Sequence, residues 1–241
     1  MSDFPKMNSS RIISKVLSPA LQLWLRSQVE DVDSLHLEIQ GEDRQILGGY
    51  IPTIYILSKS AIYRGLHLGR IEILSQNIRI NIRQILRGKP FRLLEPIQIS
   101  GKVVIDEMQL QTSLDSIIFS NALNDLLFLL LESNGVEQFK DIVTQGDLIW
   151  QKISLDEETF RLQGIWSKQN HQTYPFDLVC KMNLLPPVTL ELSSIKCAGL
   201  PYPYEITLTE LTIDLGANVE LSHFALTREK LMVQGKALIQ N

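Results

Sequence analysis

Apolar and polar residues alternate with a period of two over most of the chain from residue 34 onwards. Leu35, Leu37 and Ile39 are separated by polar neighbours, which is the pattern of a strand with one buried face. Similar segments include Ile54/Ile56, Ile71/Ile73, Ile78/Ile80/Ile82, Ile97/Ile99, Val103/Ile105, Leu148, Ile153/Leu155, Phe176/Leu178/Cys180/Met182, Val188/Leu190/Leu192, Ile206/Leu208, Leu211/Ile213, Val219/Leu221 and Leu231/Val233. The series predicts an extended antiparallel sheet with one apolar face.

The alternation is interrupted by steps of three between apolar positions. These steps are Ile51 to Ile54, Leu68 to Ile71, Leu208 to Leu211 and Leu221 to Phe224. Each one turns the apolar set to the other face unless a β-bulge takes up the extra residue, so either bulges or tight turns explain them. Gly69 favours a turn at the second step. Bulges bend strands, and we therefore predict a strongly curved sheet.

Two segments have helical periodicity. The first runs from Ile13 to Trp24 with apolar spacings of three and four, and Ser18-Pro19 predicts a helix cap followed by proline, hence a break. Its apolar face suits docking on the rest of the domain or on a bilayer.

The second helical segment starts at Asp106, which forms a capping box with Gln109, and ends near Asn134-Gly135. Its later part is apolar on most sides, since Leu126 to Leu131 covers more than a full turn, and a helix of this kind must be surrounded. Together with the one-faced sheet, this predicts an α+β, mostly β fold in which a long curved antiparallel sheet is rolled around a central helix. We expect one domain over residues 1–241: an N-terminal helical segment (1–33), a first strand set (34–105), the central helix (106–134) and a second strand set (145–241).

Leucine and isoleucine are unusually frequent, at 38 and 27 of 241 residues. A membrane span does not account for them, because the longest uninterrupted apolar run, Leu126 to Leu131, is far shorter than the roughly 18 residues that a span needs. Ile12 to Leu25 is interrupted by Lys15, Pro19 and Gln22 and lacks a cleavage site, so we recognise no signal peptide. The expected location is cytoplasmic, or peripheral on the cytoplasmic face of a membrane.

A search for catalytic or metal-binding motifs is negative. The four histidines are not paired at helical spacing, and Cys180 and Cys197 lack the spacing of a zinc site. Cys180 shares the phase of apolar strand neighbours and is interpreted as a buried structural thiol. The pattern predicts no enzyme activity, no metal and no cofactor.

Charge is concentrated in one region. Residues 59–92 contain eight cationic residues and one acidic residue, a net +7, whereas the rest of the chain carries 15 cationic and 26 acidic residues, a net −11. The most basic part is the basic loop, Arg79 to Arg92, which has five cations and no acid, with apolar residues interleaved. Three readings stay open: an anionic lipid surface, a solvated basic face, and a site for nucleic acid or an acidic protein.

Several short motifs resemble a known family. They are Gly49-Tyr50-Ile51-Pro52, Ile62-Tyr63-Arg64-Gly65-Leu66-His67-Leu68, Asn77-Ile78-Arg79-Ile80-Asn81, Leu86-Arg87-Gly88-Lys89-Pro90, Leu93-Leu94-Glu95-Pro96 and Asp106-Glu107-Met108-Gln109. Together they resemble the LmeA-like phospholipid-binding family, especially its cyanobacterial-type members. The resemblance implies a tubular lipid-binding type of fold, in which a rolled sheet encloses a helix and an apolar lumen holds acyl chains.

The leading hypothesis is therefore a non-enzymatic protein whose partners are a phospholipid or other diacyl lipid and an anionic membrane, with no nucleic acid. Arg79, Arg83, Arg87, Lys89, Phe91 and Arg92 are predicted at the membrane surface, and Leu123, Leu126, Leu127, Leu130 and Leu131 are predicted to line the lumen. The alternative is a peripheral membrane scaffold with a packed interior and no lipid cargo, and a lipid-modifying enzyme is a third possibility.

Overall fold

The computed structural model describes residues 16–136, 146–168, 171–185, 187–200 and 204–239. The described elements are α1 (Ser18–Ser27), β1 (Asp31–Val32), β2 (Leu35–Gln40), α2 (Asp43–Leu47), β3 (Tyr50–Ser58), β4 (Ala61–Tyr63), β5 (Leu66–Leu68), β6 (Arg70–Arg79), α3 (Ile82–Ile85), β7 (Ile97–Asp106), α4 (Glu107–Thr112), a 3₁₀ turn (Ser113–Asp115), α5 (Ile117–Ser133), β8 (Gly146–Asp156), β9 (Thr159–Lys168), β10 (Thr173–Leu185), β11 (Thr189–Ala198), β12 (Ile206–Asp214), β13 (Val219–Thr227) and β14 (Lys230–Ile239).

The strands form three antiparallel sheets. A six-stranded sheet has the order β13-β14-β7-β6-β3-β2, a five-stranded sheet has the order β12-β11-β10-β9-β8, and β1, β4 and β5 form a small third sheet. The predicted α+β, mostly β class with a central helix, α5, is confirmed. That the whole chain is one domain stays a prediction.

Strand β9 is missing from the sequence prediction although it lies inside the five-stranded sheet. Phe160, Leu162 and Trp166 alternate along it and are all buried. Gly164 interrupts the apolar series, because the ring of Phe176 on β10 occupies the place of its side chain, 2.7 Å from where a Cβ would lie. The alternation was therefore present, but the glycine obscured it.

The predicted steps of three have several structural solutions. A register shift between Leu221 and His223 confirms a bulge in β13. Between Ile51 and Ile54 the register with β6 is unchanged, and Asn77, with φ of +56°, lies across from Pro52. At Leu68 the step is the junction between β5 and β6, and β12 runs through Leu208 to Leu211 without a register shift.

The prediction of one continuous central helix is wrong. Asp106 and Gln109 do form the capping box, but the helix turns by 95° between α4 and α5. Ser116 causes the break, since its backbone is extended and its hydroxyl accepts the amide of Phe119 and donates to the carbonyl of Arg64. The bond to Arg64 ties Ser116 to a neighbouring segment, and the bond from Phe119 caps the start of α5, so Ser116 ends one helix and begins the next.

Helix α1 begins one residue earlier than the cap prediction places it. Leu17 is the N-cap and Ser18 the first helical residue, with Pro19 in the first turn, where its missing N–H has no cost. The predicted break at Ser18-Pro19 is wrong, because Val16 and Leu17 are helical and lead directly into α1, and Leu17 has φ of −74° and ψ of −46°. The rest of the first predicted helix lies before residue 16, outside the described residues.

Helix α4 covers one edge of the five-stranded sheet. The Gln111 side chain donates to the carbonyl of Gln151 at 2.8 Å and accepts the amide of Ile153 at 2.9 Å, and Glu107 accepts the amide of Leu155 at 2.7 Å. Side chains thus take the place of a neighbouring strand along this part of β8, which protects an edge that would otherwise be open to pairing.

Two hydrophobic clusters hold the described parts together. The larger cluster joins α5 to the inner face of the five-stranded sheet and to one end of the six-stranded sheet through Ile105 and Leu226. The smaller cluster joins α1, α2, α3 and the other end of the six-stranded sheet, around Leu17, Ile46 and Ile51.

Candidate functional site

The basic loop is a closed structure between β6 and β7. Ile80 and Leu93 form an isolated antiparallel bridge at its base, and the amide of Leu94 donates to the carbonyl of Arg79 at 2.9 Å. Helix α3 fills the first part of the loop, and Gly88 then turns the chain with φ of +76°. The loop therefore holds its cationic side chains on a defined backbone.

Asn81 fixes the conformation of this loop from inside. Its side-chain amide donates to the carbonyl of Pro90 at 2.9 Å and to the side chain of Gln84 at 3.2 Å, and its oxygen accepts the amide of Arg92 at 2.8 Å. Asn81 is only 7% exposed, so these bonds are shielded from water. Asn81 was not among the predicted site residues, although an asparagine that begins a glycine-containing loop is a recognisable signal.

The cations of the loop are exposed to solvent. Arg83, Arg87, Lys89 and Arg92 lie at the surface, and none of them forms an ion pair with a carboxylate of the described residues. Arg79 is also exposed, and its guanidinium lies 4.8 Å from the ring centroid of Tyr50. The positive charge predicted from the sequence is thus available to an external anion.

An apolar groove of about 510 Å³ separates the basic loop from α1. Trp24 and Leu23 line it from the helix, and Ile85 and Pro90 line it from the loop, with Lys89 at its rim. Leu23 is 72% exposed, and two further leucines beside the cations, Leu86 and Leu94, are 49% and 60% exposed. The helix and the loop together present apolar side chains and positive charge on one surface, hereafter the α1–loop face.

Phe91 does not lie at the surface, contrary to prediction. It is 4% exposed and packs on Trp24, with the ring centroids 5.0 Å apart. Pro90 and Arg92 flank it on the exposed side of the loop, so the aromatic ring anchors the loop onto α1 and the exposed leucines take the position expected for it.

The leucines predicted to line a lumen are packed in the larger cluster. Leu127, Leu130 and Leu131 are 0% exposed and Leu123 is 4% exposed, while Leu126 is half-buried against the same cluster. A side chain with no accessible surface adjoins no space that admits even a water molecule, so the first three do not border an acyl-chain lumen. The reason is that α5 packs directly on the sheet, with Asn124 accepting the indole N–H of Trp150 at 2.8 Å.

Other chemistry at the described positions is limited. They include no group of three or more potential metal ligands, and burial raises the pKa of the Cys180 and Cys197 thiols to about 12. Within the same residues no single helix is long and apolar enough to cross a membrane, although the bent α4–α5 segment passes that test as a pair.

The fold and the α1–loop face define a β-rich protein with a cationic, partly apolar surface, a combination suited to lipid headgroups and the acyl region beneath them. The LmeA-like phospholipid-binding family model matches residues 9–236, nearly the whole chain. The chain belongs to this family, as its motifs predicted, and the narrower likeness to cyanobacterial-type members stays a prediction. No curated protein and no solved structure matches it significantly.

Proposed function

We propose that this protein is a non-enzymatic phospholipid-binding protein that docks with its α1–loop face on an anionic membrane. The observation that carries the proposal is the set of four exposed cations of the basic loop, Arg83, Arg87, Lys89 and Arg92, which have no carboxylate partner among the described residues. Lys89 also lines the apolar groove between this loop and α1. Membership of a phospholipid-binding family supplies the ligand class. The cytoplasmic face of a membrane, which carries the anionic lipids, is the proposed location.

The expected strength of docking follows from the two kinds of side chain. Each lysine or arginine near an anionic surface contributes about 1 kcal/mol, so the four cations together contribute about 4 kcal/mol. This term is screened by salt over about 8 Å at physiological ionic strength. Insertion of Leu23, Leu86 and Leu94 adds a salt-independent hydrophobic term, because these side chains are already exposed and need no rearrangement.

The fate of the lipid separates two forms of the proposal. In the first form the protein holds or transfers an acyl chain as cargo. In the second form it is a peripheral membrane scaffold with a packed interior, and the full burial of Leu127, Leu130 and Leu131 favours that form for the region around α5.

Vesicle flotation tests the docking surface. The triple variant Arg83→Glu, Arg87→Glu, Lys89→Glu changes the net charge by −6 within the basic loop. The control variant Lys181→Glu, Lys196→Glu, Lys230→Glu makes the same change at exposed lysines elsewhere. With phosphatidylserine–phosphatidylcholine vesicles, the first variant is expected to lose flotation and the control to retain most of it. Equal flotation of both variants would refute the assignment of the surface.

Lipid extraction separates the two forms. Mass spectrometry of the natively purified protein is expected to recover phospholipid above the level of a protein blank if lipid is cargo. Flotation without recovered lipid, and without uptake of a fluorescent phospholipid, would instead identify the scaffold form.

A further inference from the structure

Gly101 occupies a position where glycine has no structural explanation. It lies within β7, a central strand, and pairs with Ile73 on one side and Gly235 on the other. A glycine inside a strand destabilises the strand relative to alanine and often marks a place where a ligand approaches the backbone.

Neither backbone conformation nor crowding requires the glycine. Gly101 has no positive φ, and an added Cβ would meet its nearest neighbours, the carbonyl oxygen of Glu72 and Cγ1 of Ile73, at 3.6 and 4.0 Å, which are ordinary contacts. Gly235 differs, because its Cβ would collide with the carbonyl oxygen of Glu220. The space beside Gly101 is open, and the chain leaves it unfilled.

This space lies in an apolar strip on the six-stranded sheet. Register places Gly101 in one row with Ile73 and Leu221, and the adjacent rows on the same face contribute Ile99 and Val233. All four apolar residues are only half-buried, and neither hydrophobic cluster of the described residues includes them. Their apolar surface is therefore available to a further apolar group.

The two ends of the strip differ. One end is closed by Ile105 and Leu226, which are 8% and 6% exposed and belong to the larger cluster. At the other end Ile97 pairs with Ile239, which is 38% exposed, and Ile97 packs against the smaller cluster, which contains Phe91 of the basic loop. The cations thus lie toward the open end.

The length of the strip suits an acyl chain. Six residue steps separate Ile97 from Val103 along β7, or about 20 Å at about 3.4 Å per residue. One leaflet of a bilayer is about 15 Å deep, half of the roughly 30 Å hydrocarbon core. An acyl chain fits this length, and the charge at the open end is opposite to that of a phosphate.

We propose that one acyl chain of a glycerophospholipid lies along this strip across Gly101, with its phosphate toward the basic loop. The inference rests on the proposed phospholipid binding and names the place of the cargo. Gly101 acts as a binding position, because the missing side chain leaves room for the acyl chain against the sheet.

Substitution of Gly101 tests the proposal. Gly101→Ile fills the space with a residue that favours strands, so folding is expected to persist. Binding of a fluorescent phosphatidylcholine is expected to weaken about tenfold or more, because apolar sites discriminate by this much per methylene-sized group. Gly101→Ala is expected to show a smaller loss, and both variants should float with anionic vesicles as the wild type does. Unchanged binding by a folded Gly101→Ile variant would overturn the proposal.

Photocrosslinking keeps the test valid if the isoleucine variant fails to fold. A phosphatidylcholine with a diazirine near the end of one acyl chain is bound to the wild-type protein, and the labelled peptides are identified. Labels on β6, β7 or β14 support the strip, and labels confined to α5 or to the α1–loop groove refute it. A wild-type protein that takes up no phospholipid at all contradicts phospholipid cargo, whereas uptake with labels elsewhere contradicts the strip alone.

Discussion

Removal of the Asn81 side chain is expected to disorganise the basic loop without changing its charge. In Asn81→Ala three hydrogen bonds are lost, to Pro90, Gln84 and Arg92, and no other described side chain bonds to the Pro90 carbonyl or the Arg92 amide. The bond to Gln84, at 3.2 Å, is the longest of the three and joins an exposed side chain, so it contributes least.

The magnitude follows from the remaining two bonds. Each intramolecular hydrogen bond contributes about 1 kcal/mol net, and a buried group left without a partner adds about 1–3 kcal/mol. The carbonyl of Pro90 and the amide of Arg92 both lose their partner, but both belong to exposed residues that water reaches after a small opening. We therefore expect a loss of about 2–3 kcal/mol, which for a protein of this size lowers Tm by about 4–12 °C.

Urea unfolding, limited trypsin digestion and flotation measure the consequence together. Asn81→Ala should lower the free energy of unfolding, speed cleavage after Arg83, Arg87 or Arg92, and weaken flotation although every cation is still present. Asn183→Ala is the control, because Asn183 is exposed and its side chain makes no hydrogen bond with the residues that the structure describes, so its effect should stay within about 0.5 kcal/mol. An Asn81→Ala variant with wild-type stability and cleavage would refute the role given to Asn81.

Four further predictions follow from other parts of the structure. Leu127→Ala should destabilise the protein by about 2–5 kcal/mol in urea unfolding yet leave lipid uptake per folded molecule unchanged. Lost uptake would instead support a lumen lined by α5. Leu23→Asp, at a 72% exposed position, should leave Tm unchanged but weaken flotation. Flotation equal to that of the wild type would show that α1 is not part of the docking surface. Gln111→Ala should cost about 1–2 kcal/mol and promote aggregation seen by light scattering, whereas the exposed control Gln76→Ala should do neither. Cys180 and Cys197, neutral at pH 8 because burial raises their pKa to about 12, should not react with Ellman's reagent until the protein is unfolded, and rapid reaction of the native protein would contradict their burial.

The local features of the fold were accessible from the sequence because short-range chemistry determines them. Asp106 and Gln109 form the predicted capping box, Asn134 and Gly135 end α5, and alternation marks most strands. The charge of the basic loop could also be predicted from the sequence, since the cations are close together in the chain. Strand β9 was missed because its glycine makes room for Phe176, a residue on another strand.

Contacts between distant residues decided what the pattern left open. The bend at Ser116 depends on the carbonyl of Arg64, and the burial of Phe91 depends on Trp24 in α1. An apolar residue has the same sequence signature whether it faces a packed core or an open strip. The sequence therefore could not show whether the apolar residues of α5 or those of the six-stranded sheet keep accessible surface. Only the tertiary structure shows that the leucines of α5 are fully enclosed, whereas the residues around Gly101 keep accessible apolar surface, because enclosure depends on which neighbours the folded chain brings to each face.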